Sequence, residues 1–192
     1  MHIVDSAGNS YRVDRLARAT NTPRVRRFSF GDGYEQRLPN GINTLDQVFN
    51  VSFNNRPSAE MNLLTDFFDS TAGVTSFAFS PPGSSSADCN VTFQQGPERI
   101  SRNSGTVFTG LYEEDWITVT GSASNDGGYA IDSAESNGAS LLYLYDSGIS
   151  SESNVDVTIY HAIGVVCDTW SAAYPQEGFI SVNATLRRVY EP

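Results

Sequence analysis

The chain has 192 residues, 39% of them hydrophobic, with 22 Asp and Glu against 12 cations and a net charge of -10; this suits one or two compact domains and excludes a disordered tail. No run nears the ~20 apolar residues of a membrane-spanning helix, and Met1-His2-Ile3-Val4-Asp5 lacks the basic and apolar regions of a signal peptide, so a chain kept in the cytosol, without membrane insertion, is expected. Two cysteines, Cys89 and Cys167, cannot build a four-cysteine metal site and read as core thiols, and the acidic balance excludes ordinary nucleic-acid binding.

In chain order, residues 24–30 (Arg-Val-Arg-Arg-Phe-Ser-Phe), Gly31-Asp32-Gly33 and 34–38 predict a hairpin whose turn takes positive-φ residues. Phe49, Val51 and Phe53 alternate with Asn50 and Ser52, the period of a strand with one buried face. After Pro57, with Ser58 as cap, Met61, Leu64, Phe67 and Phe68 share one face of a helix that Gly73 ends. Residues 74–79 predict a strand stopped by Pro81-Pro82. From about 93 to 161, short β signals at 106–112, 116–121, 129–132, 140–145 and 154–160 are separated by Gly/Ser/Asn/Asp clusters, the rhythm of a small all-β barrel or sandwich. Ile180, Val182, Ala184 and Leu186 then alternate with polar residues in a long strand expected to lie centrally in a sheet.

Charge divides along the same lines. Every cation is arginine, and seven (Arg12, Arg15, Arg18, Arg24, Arg26, Arg27, Arg37) fall in the first 37 residues. Residues 93–161 hold ten acids, Glu98, Glu113, Glu114, Asp115, Asp126, Asp132, Glu135, Asp146, Glu152 and Asp156, against Arg99 and Arg102. A solvating face would normally include lysine, whereas arginine makes bidentate carboxylate pairs and suits interfaces; the arginine cluster is therefore read as a subunit contact.

Catalytic constellations are missing from the pattern. Asp32 reads as a turn residue, and Glu113-Glu114-Asp115 as a solvated turn, because adjacent strand residues point oppositely and cannot flank one glycosidic bond. A nucleophile would need a histidine base, and the histidines are His2, near an end expected to be mobile, and His161, inside a β segment. The Asn50, Asn90 and Asn183 glycosylation patterns read as coincidences of composition, and Tyr143 and Tyr145 as alternating barrel core in preference to a sugar platform. No enzyme activity, cofactor or metal is expected.

The run Arg27-Phe-Ser-Phe30-Gly31-Asp32-Gly33-Tyr34-Glu-Gln36-Arg37, followed by Pro39-Asn-Gly41-Ile-Asn43, resembles the opening signature of the minor tail protein M family of long-tailed bacteriophages. The helix around Leu64-Thr-Asp-Phe-Phe68, then Gly73-Val-Thr-Ser-Phe77, Pro81-Pro82, Cys167-Asp-Thr-Trp170 and a last long strand follow in the family's order. Phe79 stands where related chains often carry tryptophan, and about seventy residues intervene before Cys167. The resemblance covers 1–92 and 162–192, a discontinuous core split by an inserted small β domain at 93–161, which itself resembles a β module recurring in phage tail proteins.

The resemblance implies a mainly β fold, a tail-tube-like β-sandwich or barrel with one packed α-helix plus the inserted all-β barrel. It implies a non-enzymatic virion component of the distal tail: a homo-oligomeric, hexameric ring, assembled in the host cytoplasm, that joins the tail tube protein to the tail tip and hub proteins. DNA would pass during genome ejection without specific binding. Arg12, Arg15, Arg18, Arg24, Arg26 and Arg27 are the expected subunit interface. The alternative is a host-surface carbohydrate-binding module carried by the inserted domain.

Overall fold

The computed structural model describes residues 1–5, 7–134, 140–145 and 148–190, so Glu135 and Asp146 lie outside it. The chain is mainly β, with one α-helix among the described residues, as expected. The strands are β1 His2–Val4, β2 Ser10–Arg12, β3 Arg18–Pro23, β4 Val25–Ser29, β5 Glu35–Pro39, β6 Leu45–Pro57, β7 Phe77–Ser80, β8 Ser86–Gln94, β9 Arg99–Gly105, β10 Trp116–Thr120, β11 Gly127–Ala134, β12 Leu141–Leu144, β13 Glu152–Gln176 and β14 Phe179–Arg188; the helix α1 is Ser58–Thr71.

Two hydrophobic cores form. The first lies under the antiparallel order β3–β6–β14–β13–β7–β1–β2. Alternation along β6 and β14 turns Phe49, Val51, Phe53, Ile180, Val182, Ala184 and Leu186 inward, and α1 lays Met61, Leu64 and Phe68 on them. Burying one full side chain of this kind contributes about 1.5–3 kcal/mol, so the fit of α1 to the sheet outweighs the modest intrinsic stability of so short a helix. The sheet curls on itself, since Asp14 N–H donates to Ser52 O at 3.0 Å just beyond β2. Burial alone would raise the Asp14 carboxyl, but hydrogen bonds from Arg56 and from the Asn54 backbone and amide outweigh it and hold the group below its usual range.

The second core sits inside a closed antiparallel barrel, β10–β11–β12–β9–β8–β13, with β13 returning to β10. Val91, Phe93, Ile100, Ile117, Val119, Ile131, Leu142 and Ile159 fill it. Strand β13 belongs to both cores: residues near 152–160 pair with β8 and β10, and 163–176 pair with β7 and β14. Both cysteines are buried thiols, Cys89 in the barrel and Cys167 in the first core.

The cores meet at two close approaches and one polar contact. A Cβ on Gly128 would stand 2.5 Å from Ala78 Cβ, and one on Gly8 would stand 2.6 Å from the Asp126 carbonyl, so neither site admits a larger side chain unmoved. His2 Nε2 lies 3.1 Å from Thr118 Oγ1, which lies 2.9 Å from Ser80 Oγ.

Several local expectations are corrected. His2 is not at a mobile end: it is buried in β1 and packs edge-on against Tyr160 at 4.4 Å. Ser58 is the first helical residue and Pro57 the cap, with no side-chain hydrogen bond; the helix stops at Ala72, in the left-handed region at φ 48°, whose N–H reaches Phe68 O, one residue before Gly73. Residues 106–112 form no strand, because Phe108 and Leu111 enter the barrel core from a loop at a spacing of three. In β12 the leucines Leu142 and Leu144 face inward, which leaves Tyr143 half-buried and puts Tyr145, just beyond the strand, on the surface.

Candidate assembly surface

Residues 18–39 are exposed without exception, although they are built into regular strands. Strand β3 pairs with β6 on one side only, which leaves its other edge open. Strands β4 and β5 pair only with each other, in the register Val25 with Pro39, Arg27 with Arg37 and Ser29 with Glu35. An isolated two-stranded ribbon is marginal in water, yet this one carries partly exposed Val25, Phe28, Phe30, Tyr34 and Leu38, and Ile42 beyond it is wholly exposed.

Opposite residues of an antiparallel pair share a face. Arg26 and Leu38, and Phe28 and Gln36, therefore form one face of the hairpin, while Arg27, Arg37 and Glu35 form the other. At the tip, Gly31–Gly33 make a single 3-10 turn in which Asp32 at φ 65° and Gly33 at φ 81° take the left-handed conformation. Gly31 does not, which narrows the expectation that the whole triplet supplies positive φ. Phe30 N–H donates to Tyr34 O at 2.8 Å and closes the turn.

The arginines expected at an interface are exposed or half-exposed but differ in what holds them. Arg24 pairs with Asp46 at 2.6 Å, Arg27 reaches Glu35 at 3.8 Å, and Arg26 Nε donates to Asn40 Oδ1 at 2.8 Å. Arg37 bonds Glu35 at 2.6 Å and holds that carboxyl below its usual range. Arg12, Arg15 and Arg18 have no carboxylate partner among the described residues. Exposed pairs of this kind are screened by water and salt, so they orient the hairpin more than they stabilise it.

The remaining motif residues are scattered. Gly41 bends the chain after β5 at φ 92° in open space. Pro81 and Pro82 follow β7, where Pro81 O accepts from Ser84 N–H at 3.2 Å. Cys167 is fully buried and Trp170 lies half-buried with its ring 6.0 Å from Phe68, so both serve the first core and not the hairpin. Two surface features escaped the sequence reading: β3, whose Arg-Ala-Thr-Asn-Thr-Pro has no apolar alternation, and the ordered neutral face beside it.

That face is the outward side of β6, β14 and β13. Thr169, Thr185 and Asn50 make one row across it, and Ser171, Asn183 and Ser52 the next. Thr185 Oγ1 donates to Asn50 Oδ1 at 3.1 Å. None of the six carries a charge; Arg18 stands at the β3 margin and Arg187 is neutralised by Asp168 at 3.0 Å.

Of the groups that could do chemistry, Asp115 accepts from Tyr112 N–H and stands 3.7 Å from His161. Burial lifts the Cys89 thiol to about 11 and the Cys167 thiol to about 12, far from a reactive thiolate. Among the described residues there is no cluster of three metal-ligating side chains, and no helix is long and apolar enough to cross a membrane.

A family model described as phage minor tail protein matches residues 9–110, more than half of the chain, from the start of β2 past the end of β9. Over 62 residues the chain is 37% identical to the tail tip protein M of Escherichia phage lambda. The alignment takes in 32% of this chain and 56% of that protein, so the chain spans little more than half the length of this curated relative. With the family model matched over more than half of its length, the chain belongs to the phage minor tail protein family.

Proposed function

We propose that the protein is a non-enzymatic structural component of the distal phage tail, at the tail tip, that assembles into a closed ring joining the tail tube to the tip hub. The exposed β3–β5 run carries this reading. A chain that packs two cores yet leaves arginines and aromatics on an unsupported hairpin presents a surface built for a partner. Six copies, assembled in the host cytoplasm, would close the ring, with Arg12, Arg15, Arg18, Arg24, Arg26 and Arg27 directed to neighbouring subunits.

The uncharged Asn/Ser/Thr rows on β6, β14 and β13 suit the wall of a channel. Phosphates passing such a wall meet rows of hydroxyls and amides, with Arg18 beside Asn50 at the β3 margin and Arg187 paired to Asp168 as the cations at its border, too few to give DNA a deep binding minimum. Residues 93–161 act as an inserted domain on the tail-protein core, a reading supported by a second set of buried side chains drawn mainly from this stretch.

Light scattering of the purified chain across a concentration series, with images of whatever assembles, tests the ring. A closed oligomer with a hole wide enough for duplex DNA is the expected result. A chain that stays monomeric at every concentration overturns self-assembly.

A further inference from the structure

A cleft of about 730 Å³ opens between the two cores. Its wall combines Glu114 and Asp126 with Trp116, Tyr145 and Phe67, and no cation lines it among the described residues. Asp5 also borders it, but its carboxylate is engaged by Ala7 N–H, Asn9 N–H, the Asn9 amide and the Tyr11 hydroxyl. Glu114 has no ion-pair partner among the described residues. Partial desolvation, and then the charges of Asp132, Glu113 and Glu114, hold the Tyr145 phenol above its ordinary range.

The hairpin is the complement of this cleft: arginines with exposed Phe28, Phe30, Tyr34 and Leu38, on a two-stranded sheet separate from the one that holds β10 and β11. A ring is heterologous, so each copy must present two different, mutually complementary surfaces that face away from each other. We propose that the cleft receives the β4–β5 hairpin of a second copy, with Phe30 and Tyr34 packing against Trp116 and Tyr145 and Arg26 facing Glu114. Each strand of the hairpin has five residues, or roughly 17 Å of reach at ~3.3 Å per residue. Charge complementarity selects a second copy over a neutral saccharide as the occupant, since the hairpin brings an arginine to the Glu114 carboxylate, whereas saccharide hydroxyls could bond that carboxylate but would leave its charge uncompensated. The inference rests on the ring reading and names the surfaces that meet.

Sedimentation velocity on the full-length chain compares wild type with Arg26→Glu, Glu114→Arg and the double swap, each checked for an unchanged melting temperature. Each single reversal should weaken self-association at least tenfold, and the swap should restore most of it. Independently, Tyr34→Cys chains mixed with Tyr145→Cys chains should form a mixed disulfide in preference to either like pair, because the wild-type cysteines are buried. Assembly that ignores both reversals, or like-pair disulfides alone, overturns the inference while leaving a ring in place. A monomer at all concentrations overturns both the inference and the ring. Binding of a neutral oligosaccharide that Tyr145→Ala removes, with assembly unchanged, assigns the cleft to sugar and also overturns it.

Discussion

His2 ties the two cores together, and its protonation should loosen them. The imidazole is buried, with Nε2 held 3.1 Å from Thr118 Oγ1 and its ring against Tyr160. Burial disfavours the imidazolium and pushes His2 from 6.5 down to about 4. An unfolded chain binds the proton as the pH falls through 6.5, whereas the folded chain resists until about pH 4. The neutral-histidine contribution is therefore whole above pH 6.5 and drains away between 6.5 and 4. At ~1.4 kcal/mol per pKa unit the full loss is about 3 kcal/mol. Urea unfolding at pH 7, 6, 5 and 4, for wild type and His2→Gln, isolates the term from the carboxylates, which both proteins share. Wild type should lose about 3 kcal/mol more than the variant across that range. Parallel stability curves for the two proteins would refute the assignment of this pH dependence to His2.

Gly128 sits in β11 without a positive φ, so Gly128→Val meets only the steric obstacle of Ala78; overpacking of about 1–3 kcal/mol should lower Tm by roughly 3–10 °C, whereas Gly31→Val, in open space, should leave calorimetry nearly unchanged. Phe68→Ala removes a fully buried ring that touches Phe67, Phe77 and Trp170 and should cost about 3–5 kcal/mol in chemical denaturation. Cys89 and Cys167 should react with a soluble disulfide reagent at least a hundredfold more slowly in native buffer than in urea, as a colorimetric thiol assay would show; rapid native labelling would contradict their burial.

Periodicity made the load-carrying elements of the first core legible. Helix α1 and strands β6 and β14 each turn one apolar face inward, so their spacing of 3.6 or 2 survives in the sequence. The hairpin was legible through its glycine-flanked turn. Strand β3 was not, because nothing on it is buried, and β9 was not, because Ile100 is its one fully buried side chain. The stretch 106–112 misled for the opposite reason: Phe108 and Leu111 are apolar and buried without being in a strand. As for the candidate surface, the arginine cluster showed in composition alone, whereas the cleft did not. Phe67, Glu114, Trp116, Asp126 and Tyr145 meet only when helix, loop and barrel are brought together.

Strand β13 gives the molecule a property that neither core has alone. At ~3.3 Å per residue its 25 residues extend roughly 80 Å, less what its bulges take up. Tension applied at one end of this strand is borne first by the ladder to β8 and β10 and then by the ladder to β7 and β14. Hydrogen bonds pulled along the strand axis shear together, whereas bonds pulled across it would peel one at a time. The barrel and the helix-bearing sheet thus behave as two fittings on a common stay, which stiffens the molecule along one axis without a disulfide.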